Sequence, residues 1–205
     1  MKIAVVAANG RSGKAFVEIA LAQGHNVRAG IYGKDIFSPH ERLEVMDCDA
    51  TDETDIAALL KQQDAVVSFI GHVKNSPPHV QTEAMRTVTH VMEDQGLRRI
   101  ISLTGTGVRF AGDRITFLDR LLNLGISMID PARVMDGRDH VEVLKQSGLD
   151  WTVVRVLKLR NISPKPFTLL AHGPTKNWVS REDVAKAVLQ ILEDKSFVHE
   201  APILG

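Results

Sequence analysis

The sequence has little of several features that mark other protein classes. Its 205 residues include one cysteine, Cys48, so no disulfide can form within the chain, and a reducing, cytoplasmic location is expected. Neither sign of charge is in excess: 25 basic residues face 25 acidic ones, which argues against nucleic acid or an anionic membrane as a partner. No apolar run approaches the ~18 residues of a membrane span, and the one after Met1 is too short for a signal peptide.

What is present is a regular alternation of apolar, β-rich runs with helical patterns. This alternation predicts a single α/β domain with a doubly wound parallel sheet. Strands are predicted at Lys2–Ala8, Asn26–Ile31, Glu44–Asp47, Ala65–Ile70, Arg99–Leu103 and Trp151–Val156. Helices are predicted at Ser12–Gln23, Glu53–Gln62, Pro78–Gln95 and Val134–Gln146, with short amphipathic helix character in Arg109–Leu124, and a last helix that opens with the capping box Ser180–Asp183.

A turn that contains two glycines, Ala7-Ala8-Asn9-Gly10-Arg11-Ser12-Gly13, joins the first strand to the first helix. Glycine is needed where the backbone approaches a phosphate or turns with positive φ, and Gly10 and Gly13 supply two such positions. The N–H groups and the dipole at a helix N-terminus favour a negatively charged ligand. Because the turn directly follows an apolar strand, the sequence predicts a dinucleotide pyrophosphate site here.

The same turn resembles the Gly-Ala-Thr-Gly-Arg-Thr-Gly turn of the atypical short-chain dehydrogenase/reductases. More narrowly, it resembles the NmrA-like and NADH-flavin reductase branch, which includes biliverdin-IX-beta reductase. Three more segments resemble that branch's fourth strand, sixth strand and last helix: Asp64–Ser68, Ser147–Arg155 and Val179–Ala185. The resemblance implies a Rossmann fold that binds NAD(P)H. Two positions depart from it, since Ala7 replaces the first glycine and Val156 replaces a proline.

The residues after the second strand bear on the choice of nicotinamide cofactor. An acid there binds the 2′-hydroxyl of NAD, whereas a base accepts the 2′-phosphate of NADP. The run Ile31-Tyr32-Gly33-Lys34 has no acid before Asp35, and two cations, Arg11 and Lys34, are available. NADP(H) is therefore preferred and NAD(H) is possible, although both cations would also suit a solvated surface. The resemblance implies that Asp49-Ala50 lies beside the adenine.

The tyrosine acid of the usual short-chain dehydrogenase is absent. That family uses Tyr-x-x-x-Lys, in which the tyrosine donates a proton. The single tyrosine, Tyr32, is at the wrong end of the cofactor. If Glu142 aligns with the family's helix glutamate, Val134 and Arg138 occupy the positions of the pair. Reduction of a simple ketone by that mechanism is not expected.

Reduction of a flavin or quinone needs less, because the acceptor is already electrophilic and the protein mainly stacks and orients it. Ligands of open α/β sheets bind at the carboxyl ends of the strands. Gly71 and His72 follow the fourth strand and Thr104 follows the fifth. Thr104 and His72 are thus candidate catalytic residues, and Gly71 and Thr104 candidate cofactor contacts. A loop histidine without a special role is the commoner case for such a residue, and His72 fits it as well.

Three functions are compatible with these residues. The first is an NAD(P)H-dependent reductase of FMN, another flavin, a quinone or a similar planar acceptor, with the segments 109–125 and 157–178 shaping the acceptor pocket. The second is a non-catalytic NmrA-like regulator that senses NAD(P). The third is a sugar-nucleotide epimerase or dehydratase, which the missing Tyr-x-x-x-Lys pair disfavours. A monomer or a homodimer is expected.

Several other polar and aromatic residues can be explained by structural roles alone. Arg155 is expected either to line the acceptor pocket or to pair with a carboxylate such as Glu142. Cys48 is expected to pack rather than to react. No histidine pairs with a second ligand at a convincing spacing, so no metal site is predicted. An exposed polar face is expected of Arg133, Asp136 and His140, and core positions are expected of Trp151 and Trp178.

Overall fold

The computed structural model describes residues 1–73, 75–175 and 178–205. The described elements, in chain order, are β1 (Lys2–Val6), α1 (Arg11–Ala22), β2 (Asn26–Ile31), β3 (Leu43–Asp47), α2 (Glu53–Leu60), β4 (Ala65–Ser68), α3 (Val80–Asp94), β5 (Arg99–Gly105), α4 (Phe117–Ile129), α5 (Pro131–Gln146), β6 (Asp150–Val156), β7 (Leu159–Arg160), β8 (Leu169–Leu170), β9 (Val179–Ser180), α6 (Arg181–Asp194) and β10 (Ile203–Leu204).

The main sheet has the order β3-β2-β1-β4-β5-β6-β10-β8, and every pair from β3 to β10 is parallel. Its first six strands follow the 3-2-1-4-5-6 order of a Rossmann fold. The predicted doubly wound α/β fold is therefore confirmed. Only β8 runs antiparallel, at the far edge, and β7 and β9 form a separate two-stranded parallel sheet.

The core lies on both faces of the main sheet. On one face α1 and α6 pack together through side chains that include Phe16 and Val188, and on the other α3 and α5 pack through Met85 and Leu144. Both faces of β4 are covered, because all four of its residues are buried. That burial explains why the central strands are unbroken apolar runs in the sequence.

The predicted helix boundary signals hold. Asp52 caps α2 by accepting from the N–H groups of two first-turn residues, and the capping box of Ser180 and Asp183 opens α6. Gly24 and Gly96 follow α1 and α3 with φ of 84° and 68°, which glycine adopts without strain. No helix in the described part of the chain is long and apolar enough to cross a membrane.

The region between β5 and β6 differs from the prediction. The amphipathic helix predicted within Arg109–Leu124 begins later and runs longer, as α4, because Thr116 caps it. The next helix begins at Pro131, earlier than predicted, because Asp130 caps α5 and proline suits its first position. Of the predicted acceptor segment 157–178, residues 176 and 177 lie outside the described residues.

Candidate functional site

The glycine turn brings α1 unusually close to the end of β1. A Cβ on Gly13 would lie 2.5 Å from the carbonyl oxygen of Ala7 and 2.7 Å from that of Ala8, so only glycine fits. Ala7 itself has a φ of 57°, the left-handed region that a glycine usually occupies. The N–H of Gly10 donates to the Ala7 carbonyl at 3.1 Å and closes the turn. The substitution of alanine for the first glycine has thus left the tight turn in place.

The N-terminus of α1 is suited to an anion. At the N-cap position of α1, Gly10, no described side chain makes a capping hydrogen bond. Side chains cap α2, α4, α5 and α6, and α3, which is also uncapped, has the acid Glu83 in its first turn. The N–H groups of Arg11, Ser12 and Gly13 have no carbonyl partner within the helix, and the first turn contains no acid. Arg11 is exposed beside them. These residues fit a dinucleotide pyrophosphate, which would accept from the free N–H groups.

The predicted ribose-binding residues lie next to this turn. The side-chain amide of Asn9 donates to the carbonyl oxygens of Tyr32 at 2.9 Å and Lys34 at 3.3 Å, which fixes the end of β2 against the turn. Tyr32 is 75% exposed and Lys34 is exposed. The first acid, Asp35, accepts from the N–H of Phe37 at 2.9 Å. The structure therefore brings these residues together and leaves Lys34 exposed, while contact of Lys34 with a 2′-phosphate stays a prediction.

Asp49 and Ala50 follow β3, the neighbour of β2 in the sheet. Both are partly buried. The Asp49 carboxylate accepts from the N–H of Thr51 at 2.9 Å and from its hydroxyl at 2.7 Å. These bonds hold the loop at the carboxyl edge of the sheet, and contact with an adenine stays a prediction.

Arg181 is a further candidate for the site that the sequence did not identify. It is the first residue of α6, which packs beside α1 on the same face of the sheet. Its guanidinium donates to the side-chain oxygen of Asn161. Burial lowers the pKa of Arg181, and the positive charge of Arg11 lowers it further. Two helices thus present arginines at the same edge, and the only sequence signal was an arginine directly after the capping Ser180.

His72 is held by a buried carboxylate. Its Nε2 donates to Asp136 at 2.7 Å, and Asp136 also accepts from the N–H groups of Gln81 and Thr82 at 2.8 Å and from the Thr82 hydroxyl. Burial would raise the pKa of Asp136, but these hydrogen bonds hold it below the ordinary value. The expectation that Asp136 lies on an exposed face is wrong, since α5 turns it towards β4 and α3.

Thr104 lies near the same turn of α5. A Cβ on Gly137 would lie 3.2 Å from the Thr104 hydroxyl, and Thr104 is 8% exposed. The side-chain amide of Gln81 donates to carbonyl oxygens at the ends of β4 and β5, which ties the two strand ends together. Both candidate catalytic residues therefore approach consecutive residues of α5, while Gly71 is exposed with nothing within 4 Å of an added Cβ.

His140 is fully buried, so the expectation of an exposed face is wrong for this residue as well, whereas Arg133 is exposed as expected. The Nε2 atom of His140 lies 3.2 Å from the hydroxyl of Ser102 on β5. Burial lowers the pKa of His140 to about 4. One turn after Asp136, it extends the buried polar face of α5.

Val134 is the residue that would take the place of the catalytic tyrosine if Glu142 matched the family's helix glutamate, and this correspondence stays a prediction. A Cβ on Gly107, in the loop after β5, would lie 3.8 Å from a Val134 methyl group and 2.8 Å from the amide oxygen of Asn123. Arg138 is exposed. Val134 is therefore an apolar side chain near the loop after β5, and it cannot donate a proton as a tyrosine would.

Asp119 of α4 joins the two predicted acceptor segments. It is 1% exposed and accepts from Arg109 at 2.9 and 3.1 Å, from Thr106 at 3.1 Å and from Thr175 at 3.1 Å. Residues from 109–125 and 157–178 therefore meet at one buried carboxylate beside the end of β5.

Arg155 has a structural role, as the second of its two interpretations expected, but with a different partner. It is fully buried and donates to the Asp113 carboxylate at 2.5 and 2.8 Å, whereas Glu142 pairs with Lys145. Burial would raise the pKa of Asp113, but the hydrogen bond from Arg155 holds it below the ordinary value.

Of the remaining predictions, some are confirmed and one is wrong. Cys48 is buried, and burial raises the pKa of its thiol to about 12, which confirms a packing residue. Trp151 is buried as expected, but Trp178 is 39% exposed and stacks on Arg160, so its core assignment is wrong. On the surface, Glu53, His90 and Asp94 bring possible ligand atoms within 4.8 Å of one another. The absence of a metal stays a prediction.

The fold is shared with solved structures of low sequence identity. A short-chain dehydrogenase/reductase of the wide type from Veillonella parvula, solved with NADP, has a TM-score of 0.82 at 20% identity, over 100% of this chain and 94% of that one. A proposed epimerase from Bacteroides thetaiotaomicron has a TM-score of 0.83 at 21% identity, over 100% and 96%. A proposed NADH-flavin reductase from Streptococcus pneumoniae has 0.79 at 22%, over 100% and 98%.

No curated protein matches the sequence significantly. A family described as NAD(P)H-binding, however, matches residues 7–195, from the glycine turn to the residue after α6. The match includes the free helix N-terminus, the predicted ribose-binding residues and both candidate catalytic residues. This chain belongs to the NAD(P)H-binding family.

Proposed function

We propose that this protein is an NADPH-preferring oxidoreductase that reduces a flavin, quinone or similar planar acceptor by direct hydride transfer. One observation carries the proposal: an uncapped, acid-free helix N-terminus that begins with Arg11, in a chain whose single tyrosine, Tyr32, lies beside that turn and not near the end of β5. The first half indicates a bound dinucleotide phosphate. The second half favours an acceptor that needs no proton donor at its carbonyl.

The residues of the chain have separate tasks in this proposal. Arg181 and the free N–H groups of α1 bind the pyrophosphate, and Arg11 and Lys34 receive the 2′-phosphate that only NADPH carries. When bound, the reduced nicotinamide supplies a hydride to the acceptor. His72, held by Asp136, and Thr104 orient the nicotinamide end, and solvent supplies the remaining proton. Asp119 holds the segments 109–125 and 157–178 in place as the acceptor pocket.

The test is a turnover assay with purified protein. NADPH or NADH is mixed with riboflavin, FMN or a simple quinone, and loss of cofactor absorbance is followed, while cofactor fluorescence reports binding. We expect turnover that is faster with NADPH. Tight cofactor binding without turnover of any acceptor would contradict the reductase and favour an NmrA-like sensor.

A second arm of the assay addresses His72. His72→Gln is expected to lower kcat about tenfold, because a flexible amide replaces the rigid imidazole ring that Asp136 holds in place, and to leave the Kd of the cofactor unchanged. His90→Gln, on an exposed face of α3, serves as the matched control. Equal kcat values for the two variants would remove His72 from the site. The cytoplasmic location and the monomer or homodimer state stay predictions.

A further inference from the structure

The two-stranded sheet of β7 and β9 assembles a surface that the dinucleotide site does not use. Arg160 of β7 pairs in register with Ser180 of β9. The Arg160 guanidinium carbon lies 3.2 Å from the ring centroid of Trp178, and the Lys158 ammonium lies 5.7 Å from it. Trp178 is 39% exposed. Lys158, Arg160 and Trp178 are called the Trp178 platform below.

The platform lies at the same edge of the sheet as the proposed dinucleotide site. Helices that connect parallel strands run antiparallel to them, so α1 and α6 both begin at the carboxyl edge of the sheet. β9 leads directly into α6, and Arg181 there is close enough to Arg11 for the charge of Arg11 to lower its pKa. The platform therefore lies at the same edge as the pyrophosphate site, after the end of β6.

The positive charge of the platform is not compensated within the described residues. Neither Lys158 nor Arg160 forms a salt bridge there, and neither does Arg181. The two nearby acids of α6 have other partners, since Glu182 pairs with Lys186 at 2.7 Å and Asp183 completes the capping box. The whole chain has no net charge, so this is a local excess of positive charge. Cations clustered in this way favour an anionic ligand.

The platform combines this charge with an aromatic face. A guanidinium stacked on an indole forms a flat, polarisable surface on which a second planar ring can lie. An anionic group on that ring would then reach Lys158 or the free edge of Arg160. The combination fits a planar molecule that carries a phosphate or carboxylate. A neutral ring would gain only the stacking interaction and not the interaction with the positive charges.

We propose that the Trp178 platform is the acceptor subsite and selects planar acceptors that carry an anionic group. This inference rests on the proposed reductase function and narrows its substrate class. FMN and riboflavin are suitable probes because they share one ring system and differ by a phosphate. Their dissociation constants are measured by flavin fluorescence on protein saturated with NADP⁺, so that binding is tested without turnover.

The expected result is that FMN binds about tenfold or more tightly than riboflavin, since one charge-assisted contact separates them. Lys158→Gln should raise the dissociation constant of FMN and leave that of riboflavin within about twofold. Arg160→Gln should weaken FMN more than riboflavin, because it removes both charge and stacking surface, and Trp178→Leu should weaken both. Lys61→Gln removes one charge from an exposed site before β4 and should change neither.

Three outcomes would overturn the inference: equal binding of the two flavins, loss of both flavins by the same factor in Arg160→Gln, or no binding of either flavin. The turnover assay tests the reductase proposal independently of the subsite. If FMN binds more tightly than riboflavin but no hydride is transferred, the subsite stands and the reductase is refuted. If hydride is transferred but the two flavins bind equally tightly, the reductase stands and the subsite is refuted.

Discussion

Ala7 occupies a left-handed conformation where the related turn has glycine. An L-residue there is strained by roughly 1–2 kcal/mol, and glycine would relieve the strain while adding about 0.4–1 kcal/mol of entropy to the unfolded chain. Ala7→Gly is therefore expected to raise the free energy of unfolding, by about 1 kcal/mol at most, in urea denaturation. A lower stability would show that the alanine is not strained.

Arg11 is the residue that we expect to distinguish the two cofactors most strongly. It stands in the glycine turn beside the end of β2, and its charge influences Arg181. Arg11→Glu is expected to raise the dissociation constant of NADPH about tenfold or more and that of NADH by a smaller factor, because only NADPH carries a 2′-phosphate. Fluorescence titration with both cofactors measures the ratio, and Lys61→Glu is the charge-matched control. An equal loss for both cofactors would remove Arg11 from the choice.

Single residues were predictable where a local pattern carries the information. The turn from Ala7 to Gly13 was predicted because glycine spacing after a strand has a backbone cause. Asp136 and His140 were misassigned, because whether a polar helix residue is buried depends on which elements cover that face of the helix. Arg181 was missed for the same reason, since its closeness to Arg11 arises only when α6 packs on α1.

Among the elements, the junction of β1 and α1 is the most sensitive to substitution. A Cβ on Gly13 would lie within 2.8 Å of three backbone atoms, none of which is the end of a flexible side chain. Gly13→Ala is therefore expected to lower the free energy of unfolding by about 1–3 kcal/mol and to weaken cofactor binding. Thermal or urea unfolding checks the first effect.

Gly125 offers the matched control within α4. It has nothing within 4 Å of an added Cβ and lies inside a helix, so Gly125→Ala should raise stability by up to about 1 kcal/mol. If both variants lost stability equally, close packing at Gly13 would not be the cause.

Longer elements were easier to predict from the sequence than shorter ones. β1, β4 and the helices after them contain enough residues for a pattern of apolar positions to be recognised. β7, β8, β9 and β10 have two residues each, and they pair only because β6 and α6 bring them together. The platform at Trp178 depends on two of these strands, so a sequence pattern gave no sign of it.

At the scale of the whole molecule, the buried His140 links stability to pH. Its pKa is lowered from 6.5 to about 4, so the unfolded chain takes up a proton between these values and the folded protein does not. Its contribution is therefore fully present above pH 6.5, is lost as the pH falls towards 4, and changes no further below that. The loss is on the order of 3 kcal/mol.

The comparison variant is His140→Gln, which keeps a partner for Ser102. Denaturant unfolding across this pH range should show a steeper decline for the wild type than for the variant. Carboxylates titrate in both proteins, so the difference isolates His140. Parallel profiles would mean that His140 is protonated in the folded state or is accessible to solvent.

The whole arrangement places three features at one edge of the sheet: the free N-terminus of α1, the His72–Asp136 pair and the Trp178 platform. The most direct test of their joint purpose is an anaerobic single turnover with NADPH deuterated at one face or the other of its reactive carbon, mixed with FMN. We expect one equivalent of flavin to be bleached, with slower bleaching for deuterium on one face only. Bound NADPH that leaves the flavin unbleached would contradict direct hydride transfer.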